Sequence, residues 1–270
     1  MHIKNKEAIQ QIEKGGKILG NILSKLAKIS KPGLSTWDID QVAEKMIQQA
    51  GGRPSFKGYR NRPEESAFPS TICASINHQL VHACARKSAR LKEGDIFSID
   101  IGMEYPIKKN YRGFYTDTSI TIIIGQAPDE VRDLLLVTKQ ALEEGIRAAQ
   151  PGNSVADIGK AIEEYVKSQG HYGIVRDLVG HGVGYEVHEE PRIPNYFDKG
   201  LQDWKLKSGM VIAIEPMVSL GDYKIATATD GWAIEMADSS LCAHYEHTVV
   251  IGKRGNKIVT RRPNEQKEII

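Results

Sequence analysis

The feature that most constrains this chain is a pattern written twice, in the same order. "KPGLSTWDIDQVAEKMI", from Lys31, carries Pro32-Gly33, then Ser35 and Asp38 spaced as a capping box. Ile39, Val42, Ala43, Met46 and Ile47 follow at helical spacing. "QPGNSVADIGKAIEEYV", from Gln150, repeats all of it: Pro151-Gly152, Ser154, Asp157, then Ile158, Ala161, Ile162, Tyr165 and Val166. Downstream of each capped helix comes a second shared stretch, "LKEGDIFSID" from Leu91 and "LKSGMVIAIE" from Leu206. Each reads as a buried strand whose run closes on a carboxylate, Asp100 in one and Glu215 in the other. Two matches in register imply two structurally related halves enclosing one core.

A first amphipathic helix is expected over about Lys6 to Ile29, with Ile9, Ile12, Leu19, Leu23 and Leu26 on one face. A third, about Asp129 to Ala149, joins the halves. Strands are expected near Ser70–Ile76, Asp95–Ile101, Thr116–Ile124, Met210–Glu215 and Tyr245–Ile251. Strands and helices without strict βαβ alternation predict an α+β fold, with helices over a curved, mainly antiparallel sheet. No Gly/Ser- or Pro-rich linker divides the chain, so residues 1–270 are expected to form a single domain.

Composition narrows the function. A net charge of +2 is too weak to argue for nucleic acid or membrane as the main partner. "MHIKNKEAIQ" lacks the apolar core of a signal peptide, and no apolar run is long enough to span a bilayer. Cys73, Cys84 and Cys242 make an odd set without CxxC spacing, which favours a reducing compartment and excludes a disulfide framework or a cysteine zinc site. The expected location is the cytoplasm.

An ionised carboxylate in an apolar strand is costly unless it is paired or binds a metal. Alternation puts Ile96, Ser98 and Asp100 on one face of their strand, and Val211, Ala213 and Glu215 on the equivalent face of theirs. Ser98 and Ala213 are small and leave room beside each acid. "YTDTSITIIIG" adds Asp117 on the face of Ser119 and Thr121, and "YEHTVVIG" adds Glu246. One such acid alone reads as a surface carboxylate. Four together need a common counter-charge, and no arginine stands at matching positions. Two divalent cations would neutralise them. His181, in "GHGVGYEVHEEP", is flanked by glycines that let the backbone approach closely, and it is the imidazole candidate. Oxygen and imidazole without sulfur suit Mn, Fe(II), Co or Zn, and a carboxylate-bridged pair of ions favours hydrolysis.

Those residues carry a resemblance. "GDIFSIDIG", "YTDTS", "GHGVG…HEEP", "IAIEPM" and "YEHTVV" resemble, in order, the metal-ligand motifs of the type I methionine aminopeptidases, and the similarity covers nearly the whole chain. The short interval from His181 to Glu215 leaves no room for the long insertion of type II enzymes. The resemblance implies a pita-bread fold, two pseudo-symmetric halves closing on a dinuclear metal site. It implies removal of N-terminal methionine from nascent proteins and peptides when the second residue is small, with a bridging hydroxide as nucleophile. Carried over residue by residue, Asp100 looks like a ligand of one ion, Asp117 and Glu246 like bridges, and His181 and Glu215 like the completion of the second. His82 resembles the histidine that contacts the substrate amide, and His188 the one that donates to the scissile carbonyl; with Glu215 they form the catalytic set. Tyr59, Phe68, Cys73 and Trp232 would line the methionine pocket, although without the resemblance they would read as core. Implied partners are nascent-chain N-termini and the ribosome near its exit site, for a monomer with no membrane and no specific DNA partner.

The sequence also departs from the family pattern. Ala83-Cys84-Ala85 stands where Gly-Ile-Pro is usual, Val187 where an aromatic is common, and the intervals Tyr59–Phe68 and Asp100–Asp117 are longer than usual. The second of these, "YPIKKNYRGF", reads as a lengthened hairpin tip bearing Lys108, Lys109 and Arg112. Two other readings compete. One is a peptidase of the same fold acting at Xaa-Pro bonds, although such enzymes usually carry an additional N-terminal domain and this chain begins almost directly with the catalytic unit. The other is a catalytically dead relative that serves as a binding module, although such proteins typically lose ligands that are all present here.

Overall fold

The computed structural model describes residues 2–60, 64, 66–263 and 265. Residues 61–63 and 65, within the lengthened Tyr59–Phe68 interval, therefore lie outside the described residues. Four α-helices form among the described residues: α1 (Lys6–Ile29), α2 (Thr36–Gln49), α3 (Asp129–Ala148) and α4 (Val155–Gln169). Both capping boxes close as their sequences predict. Ser35 Oγ accepts from Asp38 N at 3.2 Å while the Asp38 carboxylate accepts from Ser35 N. Ser154 Oγ accepts from Asp157 N at 3.3 Å, and Asp157 accepts from Ser154 N at 2.7 Å. Each box satisfies helix-terminal N–H groups that would otherwise lack partners.

The duplication extends to the backbone around each helix. Gly33 N–H donates to Leu91 O in one half, and Gly152 N–H donates to Leu206 O in the other. Gly94 N–H donates to Ile124 O, and Gly209 N–H to Ile251 O. All four glycines sit at φ between 87° and 93°, a left-handed conformation that other residues adopt only with strain.

The main sheet has nine strands among the described residues. Its path runs Arg53–Pro54, Ile96–Tyr105, Phe114–Ile123, Glu246–Ile251, Val211–Ile214, Gly180–Gly182, Glu189–Ile193, with Ile72–Ile76 and Asn256–Ile258 added at the side. Every pairing in it is antiparallel. Glu246–Ile251 and Phe114–Ile123 form the seam between the halves.

One expectation is corrected here. The strand that was to close on Asp100 continues to Tyr105, because Phe114–Ile123 pairs with it along its whole length, out to Tyr105↔Phe114. Asp100 is thus an interior strand residue, opposite Ser119, and Asp117 lies opposite Gly102. Glu215 does follow directly on its strand, Val211–Ile214.

Alternation then separates two faces. Ile99, Ile101, Ile212 and Ile214 are buried in the same core as Leu19, Leu23 and Leu26 of α1. Ser98, Asp100, Asp117, Ser119 and Ala213 take the other face. The chain past the sheet crosses α1 closely: a Cβ on Gly16 would lie 2.6 Å from Val259 O, and one on Gly20 would lie 2.5 Å from Thr260 O. No helix among the described residues is long and apolar enough to cross a membrane.

Candidate active site

Register assembles the acids. Ser119 pairs with Asp100 on one neighbouring strand and with Glu246 on the other, so a small side chain stands between two carboxylates. Asp117, two residues back, shares their face. Across the seam, Ala213 pairs with His181, and Glu215 lies two residues further along. His181 Nε2 comes within 3.5 Å of Glu215 Oε1, and its Nδ1 contacts Gly182 O at 2.9 Å, a contact that sets the ring's orientation. Asp117, His181 and Glu246 each offer one ligand atom, all within 4.8 Å of one another.

These groups have no adequate internal counter-charge. Asp100 Oδ1 and Glu246 Oε1 are buried with no hydrogen-bond partner among the described residues. Burial, and then the neighbouring carboxylates, push Asp100, Glu215 and Glu246 well above the ordinary carboxylate range. Burial raises Asp117 to about 6, against hydrogen bonds from Asp100 and the Thr118 N–H that pull it down. Burial also lowers His181 to about 3, which makes it a neutral imidazole with a free lone pair. Buried acids kept from ionising, orphaned oxygens and a neutral imidazole together fit a divalent metal centre.

A cavity of about 700 Å³ opens over this cluster. All eleven residues singled out from sequence line it: Tyr59, Phe68, Cys73, His82, Asp100, Asp117, His181, His188, Glu215, Trp232 and Glu246. His82 stands at φ 58°, a left-handed backbone that turns its ring into the cavity wall. Desolvation and the nearby His188 lower it to about 4. His188 packs edge-on to His181 with ring centroids 4.6 Å apart, and its Nδ1 meets the Tyr59 hydroxyl at 3.3 Å. Phe68 and Trp232 meet edge to face at 5.2 Å and form the apolar end of the cavity with Phe56 and Cys73. Val187 belongs to this apolar cluster and is 8% exposed.

A sequence model of metallopeptidase family M24 matches residues 10–253. The chain belongs to metallopeptidase family M24. This M24 chain is 44% identical over 258 residues to the methionine aminopeptidase of Clostridium acetobutylicum, covering 96% of the chain and 98% of that relative. Against the methionine aminopeptidase of Aquifex aeolicus the identity is 41% over 261 residues, covering 96% and 98%. Among solved structures, the methionine aminopeptidase of Thermotoga maritima superposes with a TM-score of 0.89 at 37% identity, over 97% of this chain and all of that one. The M24 chain is accordingly a metallopeptidase with the pita-bread fold.

Phe56 and His244 are among the residues of the M24 site that escape sequence reasoning. Phe56 lines the apolar end but sits in a bend just after the two-residue strand Arg53–Pro54, where no strand or helix period can be read. His244 lies behind the carboxylates, its Nε2 3.4 Å from Glu215 Oε2. The one signal for it is its position two residues before Glu246.

Proposed function

We propose that this metallopeptidase removes N-terminal methionine from peptides and nascent chains when the second residue is small. The observation that carries the reading is one cavity with a carboxylate–imidazole cluster at one end and a Phe56–Phe68–Cys73–Trp232 slot at the other. The selectivity for a small second residue is drawn from the likeness to methionine aminopeptidases.

Asp100, Asp117, His181, Glu215 and Glu246 would hold two divalent ions, drawn from Mn, Fe(II), Co and Zn. When bound, such a pair supplies a water shifted toward hydroxide at neutral pH and a Lewis-acid contact to the scissile carbonyl. The remaining steps belong to the chain itself. The aromatic slot takes the unbranched thioether side chain, whose sulfur packs well against ring edges. His188 Nδ1 accepts from the Tyr59 hydroxyl, which leaves Nε2–H to donate where negative charge develops on the carbonyl oxygen. His82, held neutral, accepts from the scissile amide N–H and keeps that bond oriented. We place the reaction in the cytoplasm, on a monomer acting at nascent-chain N-termini.

The test is turnover of a Met-Gly-Met peptide against an Xaa-Pro peptide, before and after chelation. Expected are hydrolysis of the first alone, loss with chelator, and recovery with Mn, Co or Fe(II). Undiminished activity in a rigorously metal-free preparation sinks the mechanism, and preference for the Xaa-Pro peptide sinks the substrate assignment.

A further inference from the structure

His244 has no part in the roles assigned above, yet it is 2% exposed and stands beside a proposed ligand. Neither of its ring nitrogens has a hydrogen-bond partner among the described residues. An imidazole N–H buried without an acceptor is costly, so a histidine kept in such a place needs a partner within reach. The nearest acid is Glu215. His244 Nε2 stands 3.4 Å from Glu215 Oε2, while His181 Nε2 stands 3.5 Å from Oε1. The carboxylate therefore lies between two imidazoles, one to each oxygen.

Both partners are anchored through their backbones. His244 N–H donates to Thr121 Oγ1 at 2.8 Å, and Thr121 Oγ1 donates to His244 O at 2.9 Å. His244 also pairs with Met217, two residues beyond Glu215, in a short antiparallel ladder. Glu215 O accepts from Asn195 Nδ2 at 3.0 Å. With both main chains held, a small side-chain rotation converts the 3.4 Å contact into a hydrogen bond. We infer that His244 is a positioning residue of the metal centre, its Nε2–H donating to Glu215 Oε2 so that Oε1 is aimed at the ion shared with His181. A neutral donor on the outer oxygen orients the carboxylate without consuming the charge that a cation needs. The inference rests on the metal reading of the site.

Calorimetric titration of Mn(II) into the chelator-stripped chain reads affinity and stoichiometry without turnover. His244→Leu keeps the bulk and removes the donor, and it should weaken binding of the ion held by Glu215 by roughly 10–100-fold. His244→Gln carries an amide N–H to the same oxygen and should stay near the wild-type affinity. Equal affinity in wild type and His244→Leu overturns the inference. Equal loss in both variants also overturns it, because the imidazole is then a ligand rather than a donor. Nitrogen-15 NMR of the zinc-loaded wild type tests the point without any variant: Nε2 of His244 should carry a proton, and a deprotonated Nε2 overturns the assignment. A wild-type chain that takes up no divalent ion overturns the metal reading and this inference together. Uptake that His244→Leu leaves unaffected overturns this inference alone.

Discussion

Glu246 has a buried oxygen without a partner among the described residues and a pKa pushed well up, first by burial and then by Asp117, Glu215 and Asp100. A carboxyl whose folded pKa exceeds its unfolded value contributes stability below the unfolded value and loses it as pH rises through the folded one. Asp117, raised from 3.8 to about 6, loses its share between about pH 4 and 6, and Glu246 loses its share as pH rises through its own raised value. Glu246→Gln should therefore raise the Tm of the chelated protein at pH 7.5, by the equivalent of about 1–3 kcal/mol. The same change should weaken Mn(II) binding and turnover. A chelated variant that melts below wild type at pH 7.5 counts against the site as a set of acids awaiting a cation. His188 should behave in the opposite manner. His188→Ala should keep its metal and lose kcat by ~10²–10³, the worth of one oxyanion donor. Metal lost in that variant would make His188 a ligand instead.

The hairpin between Asp100 and Asp117, the two proposed ligand aspartates, belongs to the scale of elements. Ile96–Tyr105 and Phe114–Ile123 carry Asp100 and Asp117, and the tip between them projects Lys108 and Lys109 into solvent. Arg112, the third basic residue of the tip, is held in an ion pair with Glu186, and Tyr115 N–H donates to Gly184 O at 2.8 Å. The base of the hairpin thus braces the 184–188 loop that delivers His188, while the lysines stay free of that work. Reversal of both lysine charges should spare peptide turnover. If the tip docks on ribosomal RNA, the reversal should weaken co-sedimentation with ribosomes in a salt-dependent way. Unaltered co-sedimentation at low salt leaves the tip as a solvated loop.

At the scale of the whole molecule, Arg262 and Glu265 close back on the seam. Glu265 accepts from His247 Nε2 at 2.8 Å, and His247 is the seam residue paired with Thr118 and Ile214. Arg262 donates to Ser119 O and pairs with Glu265, and Lys139 of α3 donates to Glu265 O at 3.0 Å. Burial alone would raise the Glu265 carboxyl, but His247 and Arg262 outweigh it and hold it at about 2. Burial lowers His247 itself, so at neutral pH His247 is a neutral donor and Arg262 supplies the charge. A depressed carboxyl contributes stability above its unfolded value, near 4.5, and loses it as pH falls toward 2. Glu265→Gln should cost roughly 2–3 kcal/mol at pH 7, with the gap to wild type closing below pH 4.5. A gap in Tm that is constant from pH 7 to 3 would show that the charge of Glu265 contributes nothing.

What the sequence determined by itself is what a few neighbouring residues decide. Ser35 with Asp38, and Ser154 with Asp157, cap their helices through contacts three residues apart, so both helix starts are legible in a string. The apolar period of α1 places its ends at Lys6 and Ile29 for the same reason. Asp100, Asp117, Glu215 and Glu246 stand out because acids in apolar strands are expensive wherever the strands later pair. Tertiary structure decided the rest. The strand continues past Asp100 through Gly102-Met103-Glu104 only because a partner strand lies alongside, and Gly180–Gly182 becomes a strand only between Val211–Ile214 and Glu189–Ile193. Phe56 reaches the cavity from a bend, and His244 stands behind its carboxylates on a three-residue strand, so neither has a period to read. Their neighbours Phe68 and Glu215 lie 12 and 29 residues away in the chain. Backbone contacts between distant segments bring them together: Gly58 N–H donates to Phe68 O in one case, and Met217 pairs with His244 in the other.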